Sequence, residues 1–244
     1  MAMNSSYDAI AWAYQKYWGT FSVRRFLPVL ERLLLLHLPE GAHILDLGCG
    51  TGNLARALWE MGYRVTGVDV SAAMVHEARK VAPNVEFLQQ DIRAFKQKNA
   101  FHAAIALFAV VNHLMTEDDL RRVLNNVKCS LVDGGWFMFD LNTPVGLQRR
   151  WQGTEAVVAE DMVIISQGRY DASKEEAETR ITSFRPAEGE QERWLRSEAL
   201  IALRGYESDA IKAALHGTGF QQIEFHRIAG KAGEGRVFVV CRKP

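Results

Sequence analysis

Residues 44–58 read ILDLGCGTGNLARAL, and the interpretation of this stretch decides the fold. An apolar start leads into glycines at 48, 50 and 52, and residues that favour a helix follow. A buried strand, a tight glycine turn and a helix form the opening unit of a nucleotide-type site, because glycine lets the backbone approach a ligand closely. A dinucleotide loop needs G-x-G-x-x-G, yet Asn53 stands where its third glycine would fall. A P-loop is excluded, since no Gly-Lys-Ser/Thr follows. The strand also holds an acid, Asp46, two residues before the first glycine. The expected ligand therefore lacks phosphates but still requires close backbone approach.

Outward from this turn, short apolar runs alternate with longer amphipathic ones. HILDLG reads as a strand, Asn53 to Met61 as a helix, RVTGVDV as a second strand, and Ala72 to Ala82 as a helix closed by Pro83. VEFLQQD and HAAIALF give a third and a fourth strand, Glu117 to Leu131 a helix, and GGWFMFDL a fifth strand. Apolar strands separated by helices predict a mostly parallel, doubly wound Rossmann-like α/β sheet. After Leu141 three long runs, Val157 to Tyr170, Glu178 to Arg185 and Trp194 to Arg204, have no helix between them. They predict an inserted antiparallel β-subdomain over 142–205, with the core formed by 1–141 and 206–244. A helix from the N-cap Ser208 to His216 follows. Two strands, Gln222 to Ile228 and Arg236 to Arg242, then predict a C-terminal antiparallel hairpin around AGKAGEG and a seven-stranded sheet. The segment Tyr7 to Leu38 is helical and aromatic-rich, and is expected to cover the cleft as part of a helical cover over 1–40.

The totals set limits. Lys plus Arg and Asp plus Glu number 29 each, so the formal net charge is zero. A dedicated nucleic-acid binder shows a basic excess, so no nucleic-acid partner is expected. The three cysteines lie far apart, which argues against a zinc knuckle or a disulfide framework, and no metal is expected. No signal peptide is read at the start, and the longest apolar run, Ala103 to Val111, is too short to span a bilayer. A cytoplasmic protein without a membrane partner, a monomer or homodimer, is the expectation.

Further residues gather at the carboxyl edge of the sheet. Asp69 ends the second strand, where a carboxylate offers two acceptor oxygens to ribose hydroxyls; helix N-cap is its alternative role. Leu107 and Phe108, at the end of the fourth strand, should border the ligand, and Asn112 and His113 the reacting centre. Tyr7 and Tyr14 lie on one helical face, in a stripe with Ile10 and Tyr17 that also suits a buried core.

Taken together, D-x-G-x-G-x-G, Asp69, Asp91, the fourth-strand stretch and LVDGGWFMFDLNTP resemble class I S-adenosylmethionine-dependent methyltransferases. The segment GGWFMFDLN with its β-insertion is similar to bacterial small-molecule members, including sugar-amine N,N-dimethyltransferases and glycine N-methyltransferase relatives. The resemblance implies S-adenosylmethionine as cofactor, held by Asp46, Gly48, Cys49, Gly50 and Asp69. It implies that Asp91 accepts from the adenine amino group, that Ile92 packs on the ring with Val70 and Met74 nearby, and that Tyr7 meets the sulfonium end. His113, in NHL, stands where a base is found in the sugar-amine enzymes, and Tyr14 joins it as a catalytic candidate. The implied reaction is methyl transfer to a small-molecule acceptor, an amine or hydroxyl. A NAD-linked oxidoreductase, a non-catalytic cofactor-binding module, and a tRNA or protein methyltransferase remain as alternatives.

Overall fold

The computed structural model describes residues 5–227 and 234–244. Eleven strands are described: β1 (His43–Leu47), β2 (Arg64–Asp69), β3 (Glu86–Gln89), β4 (Phe101–Ala106), β5 (Leu131–Asn142), β6 (Gly153–Ala159), β7 (Met162–Asp171), β8 (Glu176–Ala187), β9 (Glu190–Arg204), β10 (Gln221–Arg227) and β11 (Arg236–Arg242). The α-helices are α1 (Ala11–Ala13), α2 (Thr20–Leu33), α3 (Asn53–Glu60), α4 (Ala72–Val81), α5 (Glu117–Ser130), α6 (Pro144–Arg150) and α7 (Ser208–Gly217).

Seven strands form one sheet in the order β10-β11-β5-β4-β1-β2-β3. The pairs within β3-β2-β1-β4-β5 are parallel, whereas β11 runs antiparallel to both β5 and β10. This is the expected mostly parallel Rossmann-like sheet. Successive side chains on each strand point to opposite faces, so the sheet separates two cores. Leu45 and Leu47 of β1, with Phe137 and Phe139 of β5, pack under α5 and α7. Ile44 of β1, with Met138 of β5 and Phe238 of β11, packs under α2, α3 and α4.

Local chemistry fixes the helix starts. The Ser71 hydroxyl accepts from Met74 N at 3.1 Å ahead of α4, and the Thr116 hydroxyl accepts from Asp119 N at 3.1 Å ahead of α5. Each satisfies an otherwise orphaned N–H. Glu117, Asp118 and Asp119 place negative charge in the first turn of α5, where the helix dipole favours it. At α7 the expectation fails: Ser208 is the first helical residue, the cap is Glu207, and no side chain bonds the free N–H groups.

A second sheet, β6-β7-β8-β9, is antiparallel throughout. It corrects the expected three runs to four strands. Val157 to Tyr170 is not one strand but parts of β6 and β7, joined at Glu160–Asp161. Two polar residues at that turn were too brief to break an apolar run, and β6 is largely exposed, so its sequence carries little burial pattern. The C-terminal hairpin is present as β10 and β11; its expected turn at 229–235 and the expected strand end at Ile228 lie outside the described residues, save for 234 and 235.

Before β1 the chain is helical but irregular. A 3₁₀ turn (Ser6–Ile10), α1, a π-helical segment (Tyr14–Gly19), α2 and a 3₁₀ turn (Leu35–His37) follow one another. Among the described residues no helix is long and apolar enough to cross a membrane.

Candidate active site

A cavity of about 300 Å³ opens at the carboxyl ends of β1, β2 and β4. Gly48 and Gly50 border it from the turn, Asp69 from the end of β2, Val70 from just after it, and Met74 from α4. Asp91, Ile92, Leu107 and Phe108 come from the loops after β3 and β4, and Tyr7, Tyr14 and His113 complete the wall. Twelve of the fifteen residues expected in the site therefore share one cavity. Asp46, Cys49 and Asn112 do not line it; Asp46 is buried within β1 and Cys49 in the turn.

The turn works only with glycine. Gly48 has φ +66°, and a Cβ there would fall 2.5 Å from Cγ2 of Val110. Gly52 serves packing instead: its Cβ would meet Phe87 and Ala78 rather than the cavity. Asn53, at the position of the missing dinucleotide glycine, ties down the N-terminal segment by donating to Oε1 of Gln15 at 2.6 Å.

Asp69 is fixed by two backbone donors. Gly50 N reaches Oδ2 at 2.9 Å and Ser71 N reaches Oδ1 at 2.9 Å. Each oxygen keeps acceptor capacity for a ligand hydroxyl. Burial raises this carboxyl above the usual range, partly offset by those two bonds. Asp46 is 3% exposed, and its Oδ2 has no hydrogen-bond partner in the protein. Burial, and then the charge of Asp69, pushes the Asp46 carboxyl up to about 8. An orphaned buried acid beside a two-acceptor carboxylate fits a ligand that offers donors and positive charge, as S-adenosylmethionine does.

Asp91 is differently placed from its implied role. Arg93 clamps it: Arg93 N donates to Oδ1 at 2.8 Å, Nε to Oδ2 at 2.9 Å and Nη2 to Oδ2 at 2.6 Å. Those bonds hold the Asp91 carboxyl below the ordinary range despite partial burial, and they occupy most of its acceptor capacity. Arg93 itself lines the cavity, a residue not singled out from the sequence although it stands two places from Asp91.

The N-terminal segment is latched over this cavity by Asp8. Its Oδ1 accepts from the Ser71 hydroxyl at 2.6 Å and from Ala73 N at 3.1 Å, and its Oδ2 accepts from Ser5 N at 3.0 Å. Asp8 thus adds a second cap to α4 and holds its neighbour Tyr7 against the site. Nothing in the local sequence announces this contact, because it joins residues more than sixty positions apart.

A second cavity, about 220 Å³, adjoins the first. Tyr7, Tyr14, Phe108, His113 and Ile201 line both, so they form the wall between the two. The Tyr7 hydroxyl lies 3.2 Å from Nε2 of His113. Burial pushes the His113 imidazole down to about 4, and burial with the charge of Asp69 raises the Tyr7 phenol. Both groups are neutral near pH 7, so Tyr7 donates to Nε2 when the ring proton is on Nδ1. Tyr14 packs edge-on against Tyr7 and Phe108, with ring centroids 6.1 Å apart in each pair.

The backbone that sets Phe108 in this wall is strained. Phe108 and Ala109 have φ +73° and +65°, a region that costs a non-glycine residue on the order of 1 kcal/mol. Ala109 N donates to Oδ1 of the buried Asp140 at 3.0 Å, which holds the turn. Asn112 was expected at the reacting centre and lies elsewhere. It is fully buried, donates to the carbonyls of Asn142 (2.9 Å) and Arg204 (2.7 Å), and accepts from Asn142 N at 2.8 Å. Its amide is consumed in joining β5 to β9.

Comparisons with known proteins agree with this geometry. Residues 44–135, which hold the turn, Asp69, Asp91 and His113, match the family model described as a methyltransferase domain. A protein of Geobacillus sp. (strain WCH70) that carries the name of a methyltransferase is 26% identical over 98% of this chain and 100% of its own length. Among solved structures, an S-adenosylmethionine-dependent methyltransferase from Clostridium acetobutylicum superposes with a TM-score of 0.80 at 19% identity, over 98% of this chain and 99% of that one. An amino pentose methyltransferase of calicheamicin biosynthesis from Micromonospora echinaspora, solved with S-adenosylmethionine bound, superposes with a TM-score of 0.71 at 22% identity, over 99% and 98%. These two share the fold. The methyltransferase domain matched over residues 44–135, with the glycine turn and the carboxylates at its rim, supports the reading of a class I S-adenosylmethionine-dependent methyltransferase.

Proposed function

We propose that the enzyme methylates a small-molecule acceptor, at an amine or a hydroxyl, bound in the second cavity. The observation that carries this reading is the shared wall: Tyr7, Tyr14, Phe108, His113 and Ile201 separate a cofactor-sized cavity from another of modest volume. When bound, S-adenosylmethionine supplies an electrophilic methyl group on sulfur. The role of the chain is alignment and exclusion of water, and for a protonated nucleophile removal of one proton.

On this reading Asp69 holds the ribose end, Gly48 and Gly50 let the backbone approach, and Asp46, protonated in the free protein, loses its proton as the cationic cofactor binds. Val70, Met74, Ile92 and Leu107 give apolar contact. Tyr7 and Tyr14 narrow the passage between the cavities. His113, neutral and with its Nε2–H donated to the Tyr7 oxygen, takes the acceptor proton on Nδ1. Residues 142–205 act as an acceptor-binding subdomain on the core of 1–141 and 206–244. The catalytic entity is a monomer or homodimer.

The test is a screen of amines, hydroxyls and carboxylates by release of demethylated cofactor. Turnover with a small amine or hydroxyl, lost in His113→Ala, supports the proposal. Turnover confined to nucleic acid or protein acceptors would overturn it.

A further inference from the structure

The second cavity carries charge that methyl transfer alone does not require. One of its walls is a face of the four-stranded sheet, built from residues in register: Gly153 opposite Gly168, Gly168 opposite Thr179, Thr179 opposite Ile201. Opposed residues share a face; Gly153 leaves its Cβ position open, whereas that of Gly168, beside Thr179, is taken by the Trp151 backbone 2.7 Å away. The Thr179 side chain is 8% exposed, and its hydroxyl has no hydrogen-bond partner in the protein. A buried hydroxyl on a cavity wall without a partner is costly unless a ligand supplies one.

Arg150, the last residue of α6, brings a half-buried guanidinium to the same cavity. Two neutral oxygens hold it, Oδ1 of Asn142 at 2.6 Å and the carbonyl of Glu234. Among the described residues no carboxylate bonds to it. The nearby acid, Asp140, is already engaged by Arg236 at 3.4 Å. Burial, with the like charges of Arg236 and Arg25, pushes Arg150 down to about 10. The adjacent Arg149 differs, because it pairs with the Glu234 carboxylate. Glu155, exposed on β6, also lines the cavity, in the next row, opposite Ser166.

We infer that the acceptor carries, besides the atom that is methylated, an anionic oxygen group of the carboxylate or phosphate class, seated on Arg150 with Thr179 donating beside it. The inference rests on the proposed acceptor role of this cavity. An anion there pairs a guanidinium to which no described carboxylate bonds, and its second oxygen satisfies the orphaned hydroxyl.

The experiment titrates the protein, saturated with S-adenosylhomocysteine, with glutarate, inorganic phosphate and the neutral glutaramide. It follows the fluorescence of Trp18 and Trp151, which line the cavity. At least one anion should saturate, and which one does names the source. Glutaramide should bind roughly tenfold more weakly than glutarate if the carboxylate is the group read, and Arg150→Gln and Thr179→Val should each weaken the binding anion roughly tenfold. Arg149→Gln should leave it unchanged, and affinity for S-adenosylhomocysteine should be intact in all. If Arg150→Gln fails to fold, the comparison of each anion with glutaramide in the wild type decides. Absence of binding by either anion, glutaramide matching both anions, or undiminished binding in Arg150→Gln overturns the inference. Failure of the proposed function is read separately, from acceptor-dependent release of demethylated cofactor by the wild type.

Discussion

The Tyr7 hydroxyl stands 3.2 Å from Nε2 of His113, although 106 residues separate them in the chain. This bond joins the N-terminal segment to the loop after β4 at the wall between the two cavities. On the proposed reading it couples cover and chemistry, because the segment that borders the first cavity also holds the imidazole. Removing either partner therefore has separable effects.

His113→Ala should lower kcat by about 10²-fold or more, the usual worth of a positioned base. Tyr7→Phe should lower it less, because the imidazole remains and only its orientation is loosened. Calorimetric titration with S-adenosylmethionine should give nearly unchanged affinity for His113→Ala. In pH profiles of kcat/KM the imidazole contributes no inflection near neutrality. Its folded value is depressed to about 4, so the neutral base is present above that value and is lost as pH falls through it.

Asp69 and Asp91 should differ in weight. Asp69 keeps acceptor capacity beyond its two backbone bonds, so Asp69→Ala should weaken cofactor binding by roughly 10²-fold, the loss of two charge-assisted hydrogen bonds. Asp91 is occupied by Arg93, so Asp91→Ala should cost under about tenfold. Calorimetry on both variants, with Arg93→Ala as the partner control, checks the order.

A stability test addresses Asp46. Its folded carboxyl is raised to about 8 from 3.8, so the native state binds the proton more tightly than the unfolded chain. The stabilisation from the neutral acid is fully present below the unfolded value and is lost as pH rises through about 8. The apo Tm should therefore fall as pH climbs through this window. Asp46→Asn, neutral throughout, should flatten that dependence in a thermal-shift series.

The glycine turn gives a packing prediction. Gly48→Ala places a Cβ 2.5 Å from Val110 Cγ2 at φ +66°, and should destabilise by about 2 kcal/mol through overpacking and the left-handed backbone. Adding Val110→Ala should relieve the steric part and leave the backbone part. Urea unfolding of the single and double variants, read as a double-mutant cycle, separates the two.

The parallel sheet was legible because each of its strands is a buried apolar run next to a breaker: Gly48 after β1, Ser71 after β2 and Pro83 before β3 mark their boundaries in sequence. Part of the cavity wall was legible for the same reason, since Gly48, Asp69 and Leu107 stand at or next to strand ends. The β6–β7 turn was not, because Glu160–Asp161 is a two-residue tip on an exposed edge strand that buries little and so imposes little pattern. Nor were the residues that act across long separations. The contacts of Asp8 with Ser71, of Arg150 with Asn142, and the Asn112 junction depend on tertiary placement. Asn112 misled most: a polar residue at a strand end has the same appearance whether it faces a ligand or ties two strands together.

On the proposed reading an acceptor in the second cavity is methylated across the Tyr7–His113 wall. The most direct measurement is transfer of labelled methyl from S-adenosylmethionine to an accepted small amine or hydroxyl, under single-turnover conditions, in wild type, His113→Ala and Asp69→Ala. His113→Ala should show a slow step with unchanged cofactor affinity, and Asp69→Ala weakened cofactor affinity. Transfer at the wild-type rate in His113→Ala would contradict that reading.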